Sequence, residues 1–206
     1  LPPGDIWQKI DIDFARDQGI SSFAPLKPLP VNEPLGQDYA LSFVQSRDLP
    51  IGGFAAGTRI ITERGELPVE HLTLADRVQT IDHGLQPIRW INRRVVQAEG
   101  DLAPVEFQPG AVGNSRRLRL SGKQHILVSG WRVELLFASD AALIKSAHLV
   151  NGDTIKRVPV AEIEYTDILC DRHEIIVVDG CRSETFFPTE RNLTLLDPAA
   201  RKQLGE

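Results

Sequence analysis

Ser121-Gly122-Lys123-Gln124-His125 brings a hydroxyl and an imidazole into one short stretch. Residues of these types could serve acyl transfer, one as nucleophile or positioning group and the other as proton carrier. His173, in Asp171-Arg172-His173, offers a second imidazole, and Thr58 a second hydroxyl. A serine hydrolase built on Ser121 is a weak reading. The chain has no Gly-x-Ser-x-Gly elbow to expose the hydroxyl on a sharp turn, and no acid partner is evident. His71, His83 and His148 lack metal-ligand spacing and read as surface or turn residues. The two cysteines, Cys170 and Cys181, form no CxxC pair and read as isolated thiols. No metal and no cofactor is expected.

The elements that must position these residues read as β. Thr58–Thr62 is rich in β-branched residues, and Arg64-Gly65 makes a turn. Val78–Ile81 alternates apolar with polar, Asp82-His83-Gly84 turns, and Pro87–Val96 forms a strand. Leu118–Leu120 and Ile126–Val128 flank Ser121-Gly122, and a further run covers Arg132–Phe137. Ala141–Leu149 reads as a short helix or irregular run, and Asn151-Gly152 as a tight turn. Ile163–Cys170 and Glu174–Val178 read as a hairpin around Asp171-Arg172-His173, and Asp179-Gly180 turns again. Many short strands at regular spacing imply an all-β core. Thr58 then reads most simply as a β-branched residue in a buried strand.

Residues 1–52 differ from this. Asp5 could cap a helix carrying Ile6, Ile10 and Phe14, but Pro25, Pro28, Pro30 and Pro34 forbid regular structure after it. This arm has too few apolar residues to fold alone. It is either a linker or a precursor segment that docks on the β domain. That domain occupies residues 53–190, and residues 191–206 make a short helical tail that opens on Asp197-Pro198.

With 42% hydrophobic residues among 206, the chain can bury one substantial core plus an appendage. A net charge of -5 argues against nucleic acid as partner. The clusters Arg89, Arg93, Arg94 and Arg116, Arg117, Arg119 read as solvated strand edges. No apolar run reaches the length of a membrane span. Leu1-Pro2-Pro3-Gly4 lacks the basic start and apolar core of a signal peptide. The chain contains no methionine, as expected of a fragment of a longer one. Localisation and oligomeric state are not legible.

Gly53-Phe54-Ala55-Ala56-Gly57-Thr58, Gln86-Pro87-Ile88-Arg89-Trp90-Ile91, His148-Leu149-Val150-Asn151-Gly152, Asp171-Arg172-His173-Glu174-Ile175 and Ser183-Glu184-Thr185-Phe186 stand in this order along the chain. Together they resemble Hint domains, the fold shared by hedgehog autoprocessing domains and inteins, in a bacterial branch. The resemblance implies a horseshoe-like, all-β fold with pseudo-two-fold symmetry. It also implies self-cleavage through an N-S acyl shift, with the chain's own N-terminal segment as intramolecular substrate.

In that family a cysteine stands where this chain has Gly53. The sequence therefore implies the fold of a self-cleaving domain without the sulfur that starts the reaction. The family's acid block reads Ser/Thr-x-x-His. Counted from Ser121, Gln124 takes the histidine slot and His125 falls one residue later. In a strand that slip turns a side chain to the opposite face. Either the loop bulges and His125 still points inward, or the acid is lost, which the strand period favours. His173 matches a histidine of the last catalytic block and would polarise the scissile region, unless it is simply a turn residue. Two readings result. Gly53 replaces a cysteine in an autoprocessing domain, by design or by natural loss, or the domain is naturally degenerate and serves as a structural or binding module. Two altered positions rather than one favour natural decay.

Overall fold

The computed structural model describes residues 52–187 apart from 132, 134, 136 and 137. The expected arm helix and C-terminal helix lie outside the described residues, as does most of the Arg132–Phe137 run.

Two long strands carry the fold. β5 (Leu85–Gln97) and β11 (Glu162–Cys170) pair antiparallel from Gln97↔Glu162 to Ile88↔Cys170, with a bulge between Leu169 and Cys170. Ahead of β5 lie β1 (Phe54–Ala55), β2 (Arg59–Thr62), β3 (Gly65–Pro68) and β4 (Arg77–Gln79). Between β5 and β11 come β6 (Val105–Phe107), β7 (Leu118–Leu120), β8 (His125–Ser129), β9 (Ala141–Lys145) and β10 (Ile155–Arg157). β12 (Ile175–Val178) and β13 (Cys181–Glu184) come last. Neighbours run β10-β6-β7-β1-β11-β5-β4-β2-β12-β13-β8-β9, with β3 paired to β2. Every pairing is antiparallel. The sheet curls, and Phe54, Ile60, Val78, Ile88, Phe107, Leu120, Ile126, Ile168 and Ile176 pack in one buried core. This is the all-β architecture that the spacing of short strands implies.

The structure corrects three local expectations. β12 does not pair with β11. It pairs with β13 and β2, while β11 pairs with β5 and β1. The reason is turn chemistry: Asp179 and Gly180 both take positive φ, 45° and 89°, the backbone of a two-residue hairpin turn. The longer Asp171–Glu174 connection instead lets the chain cross to another part of the sheet. The second correction concerns Ala141–Leu149. It divides into β9 and a single 3-10 turn at Ser146–Leu149, because Ala142, Leu143 and Ile144 bury against β8. The third is Arg94, which is no solvated edge residue: it is 4% exposed. The other arginines of those clusters meet acids or carbonyls: Arg89 pairs with Asp171, Arg93 donates to the Leu72 carbonyl, and Arg117 and Arg119 reach Glu106.

Candidate functional site

β1 starts at Phe54, paired with Thr166 of β11 on one side and Leu120 of β7 on the other. The peptide between Gly52 and Gly53 thus enters the sheet beside its central strand. All three polar groups around it are held. The Gly52 carbonyl accepts from an Arg94 Nη. The Gly53 N–H donates to Gln124 Oε1 at 2.8 Å, and the Gly53 carbonyl accepts from the Ser121 N–H at 3.0 Å.

Strand periodicity explains how Arg94 gets there. Arg94 on β5 stands opposite Tyr165 on β11. Two residues along β11 on the same face lies Asp167. Arg94 forms an ion pair with Asp167, both side chains being nearly fully buried, and its guanidinium lies 5.7 Å from the Tyr165 ring centroid. Burial pushes the Asp167 carboxyl up, and the Arg94 charge and hydrogen bond pull it back. Burial likewise raises the Tyr165 phenol, again opposed by Arg94. The Tyr165 hydroxyl donates to the Leu102 carbonyl at 3.1 Å.

Ser121–Gln124 is a β-turn, closed by the Gln124 N–H on the Ser121 carbonyl at 3.0 Å. Its last residue points at the Gly52–Gly53 peptide. Gln124 is fixed at its other end by two donations from Nε2, to Ser183 Oγ at 3.0 Å and the Glu184 carbonyl at 2.8 Å. Ser183 spends its own proton on the His125 carbonyl at 2.6 Å, so its oxygen must accept from Gln124. That chemistry sets the amide orientation: the carbonyl oxygen, not the NH₂, faces Gly53.

His125 is the next residue and the first of β8. Its Nδ1 lies 2.5 Å from Glu184 Oε1, and the other oxygen of Glu184 is 2.9 Å from His173 Nε2. His173 also packs its ring on Phe187, centroids 4.9 Å apart. His125, Glu184 and His173 therefore form one chain of contacts, while Gln124 contacts the Gly52–Gly53 peptide. Among the described residues, the buried His125 Nε2 has no hydrogen-bond partner. The side chain of Ser121 accepts the Lys123 N–H at 3.3 Å, and its backbone holds Gly53. Thr58 is buried just before β2. Its carbonyl accepts the Val69 N–H, and it sits apart from the peptide clamp. Of the histidines expected to be plain surface residues, His83 bonds the buried Glu174 at 2.9 Å.

Arg94, Asp167, Tyr165 and Ser183 are site residues that sequence reasoning missed. Asp167 carried a usable signal: a carboxylate inside the apolar strand Ile163–Cys170 has to find a cation when that strand is buried on both faces. Among the described residues no group of three or more His, Cys, Asp or Glu is arranged to hold a metal, and no helix is long and apolar enough to cross a membrane.

The chain matches the family model of the Hint domain over residues 52–190. Two solved structures are similar to it at low identity. A bacterial intein-like domain from Clostridium thermocellum is 13% identical, covering 65% of this chain and 98% of that one, with a TM-score of 0.46. A splice-inactive, GSH-linked variant of the AceL NrdHF class 3 split intein is 12% identical, covering 66% and 99%, with a TM-score of 0.44. No curated protein matches. With the family match spanning more than half its length, the chain belongs to the Hint domain family.

Proposed function

We propose that this is a Hint domain of the self-cleaving type that holds the Gly52–Gly53 peptide in the position of the scissile bond and leaves it intact. In the family's reaction a thiolate at position 53 attacks the preceding carbonyl. The C–N bond breaks, the freed amine takes a proton, and a thioester forms. The step needs a nucleophile, an oxyanion donor and an acid. Arg94 is suited to the oxyanion role, since it donates to the Gly52 carbonyl from a buried position. The other two parts are missing. Gly53 has no side chain, and the group facing its nitrogen is a carbonyl oxygen. That contact is the observation that carries the reading, because Gln124 Oε1 accepts the amide proton and has none to give.

The two cysteines do not replace the lost sulfur. Cys170 and Cys181 are buried, and burial pushes each thiol up to about 12, far from a nucleophilic thiolate at neutral pH. On this reading the domain serves as a structural or binding module that retains its own preceding segment. Intact mass spectrometry after incubation with dithiothreitol or hydroxylamine tests it. The chain is expected to stay whole. Thiol-dependent release of fragments 1–52 and 53–206 would refute it.

A further inference from the structure

We infer that the site selects glycine at both positions 52 and 53, so that it is a clasp for a side-chain-free dipeptide rather than a cleavage site awaiting a cysteine. The inference rests on the uncleaved reading above and goes beyond it, because it states which residues the site will accept.

Gly53 has φ +130°, a conformation that residues with a β-carbon rarely adopt. A β-carbon there would stand 2.9 Å from Tyr165 Cβ and 3.2 Å from Arg94 Nη2. Neither neighbour can yield easily. Tyr165 Cβ is fixed to the backbone of β11, which is paired on both sides, to β5 and β1. The guanidinium is tied to Asp167 and the Gly52 carbonyl. Cysteine, serine and threonine all carry that β-carbon. Each of the family's possible nucleophiles is therefore excluded by the same contact.

Gly52 is restricted by a different wall. Its β-carbon would lie 2.4 Å from Gln124 Oε1 and 3.2 Å from Gln124 Cα. The first contact is the tip of a side chain, but that tip is pinned by Ser183 and Glu184. Gln124 thus does two things: it accepts the Gly53 N–H, and it fills the space a side chain at 52 would need. Position 124 is thus matched to 53 by its hydrogen bond and to 52 by its shape.

Alanine substitutions in the full chain test the clasp. Gly130 is the control, with φ +121° and no atom of the described residues within 4 Å of a β-carbon, so Gly130→Ala carries a backbone penalty without a clash from them. Gly53→Ala is expected to lower the melting temperature by clearly more than Gly130→Ala. It should also speed amide hydrogen exchange at residues 53 and 121 at least tenfold. Failure of Gly53→Ala to fold while Gly130→Ala folds is the same result at its extreme. Independently, Gly52→Ala is expected to cost much less in a Gln124→Ala background than in the unsubstituted chain. Equal effects of Gly53→Ala and Gly130→Ala, or equal costs of Gly52→Ala in the two backgrounds, overturn the clasp. Neither outcome bears on whether the unsubstituted chain cleaves, which the mass measurement reads separately.

Discussion

Gln124 accepts the Gly53 amide proton at 2.8 Å while its own NH₂ group holds Ser183 and the Glu184 carbonyl. One buried amide thus ties β1, β8 and the end of β13 to the same point. Truncation by Gln124→Ala removes the acceptor of the Gly53 N–H. A buried group left unsatisfied costs about 1–3 kcal/mol. We expect a loss of stability of that order in urea unfolding. A change within about 0.5 kcal/mol, the range of ordinary surface substitutions, would place Gln124 in solvent and sever the link between turn and peptide.

Arg94 and Asp167 form the second anchor. Both are buried, and the guanidinium also serves the Gly52 carbonyl. Arg94→Met leaves a buried carboxylate without its cation, which typically costs about 3–5 kcal/mol. The double change Arg94→Met with Asp167→Leu removes both charges and should recover a large part of that loss. A double-mutant cycle in chemical denaturation measures the coupling. Strict additivity would mean that the two side chains do not share one interaction.

The thiols give a chemical readout. Cys170 and Cys181 are 3% and 2% exposed, and their thiols are pushed up to about 12 by burial, with nearby carboxylates adding to it. A disulfide reagent at pH 8 should label neither in the folded chain and both in denaturant. Fast labelling of the native protein would show that the β11 and β13 ends open readily.

Asp76 sets a pH dependence. Burial pushes its carboxyl up, but the Thr73 N–H and hydroxyl and the Arg64 guanidinium outweigh that and hold it below 3.8. Because the folded value is depressed, the stabilisation is present above the unfolded value near 3.8. It is lost as pH falls through the folded value. Asp76→Asn should therefore destabilise the protein at pH 7 by about 1.5–3 kcal/mol, the range for hydrogen bonds to a charged group. The gap between variant and parent should narrow as pH drops below 3.8. A gap that stays constant down to pH ~2 would assign the loss to shape rather than charge.

Much of the fold was legible because its determinants are local. Asn151-Gly152 and Asp179-Gly180 mark turns by residue type alone. Gly152 does take positive φ, and the Asn151 side chain accepts the N–H groups of Asp153 and Ile155. Strand partners were harder, since nothing near Ile175 states whether it will meet β11 or β13. The site divides in the same way. Ser121–His125 stood out as a compact block of polar residues. Arg94 did not, because in Arg93-Arg94 the sequence shows two like charges. Only the β5–β11 register buries one on Asp167 and leaves the other half-exposed against Leu72. Burial of a charge is a long-range property, and a run of arginines carries no mark of it.

The family's missing sulfur supplies the last prediction. From sequence alone, Gly53→Cys would be expected to restore a nucleophile, and Gln124→His to speed the cleavage by supplying an acid worth about 10²–10⁴ in rate. The geometry alters that expectation. The added β-carbon lies too close to Tyr165 Cβ, on a backbone at φ +130°. The peptide must shift before a thiol can sit there, and that shift takes the Gly52 carbonyl away from Arg94. Replacing Gln124 with histidine removes the pinned acceptor and supplies a proton donor, while the contact with Tyr165 Cβ remains. We therefore expect Gly53→Cys alone to be destabilised and to show no cleavage over a day with dithiothreitol. The double variant is expected to release fragments 1–52 and 53–206 faster than Gly53→Cys alone. Prompt thiol-dependent cleavage by Gly53→Cys alone, at unchanged stability, would show that the site still accommodates the family's nucleophile and that its glycines are incidental.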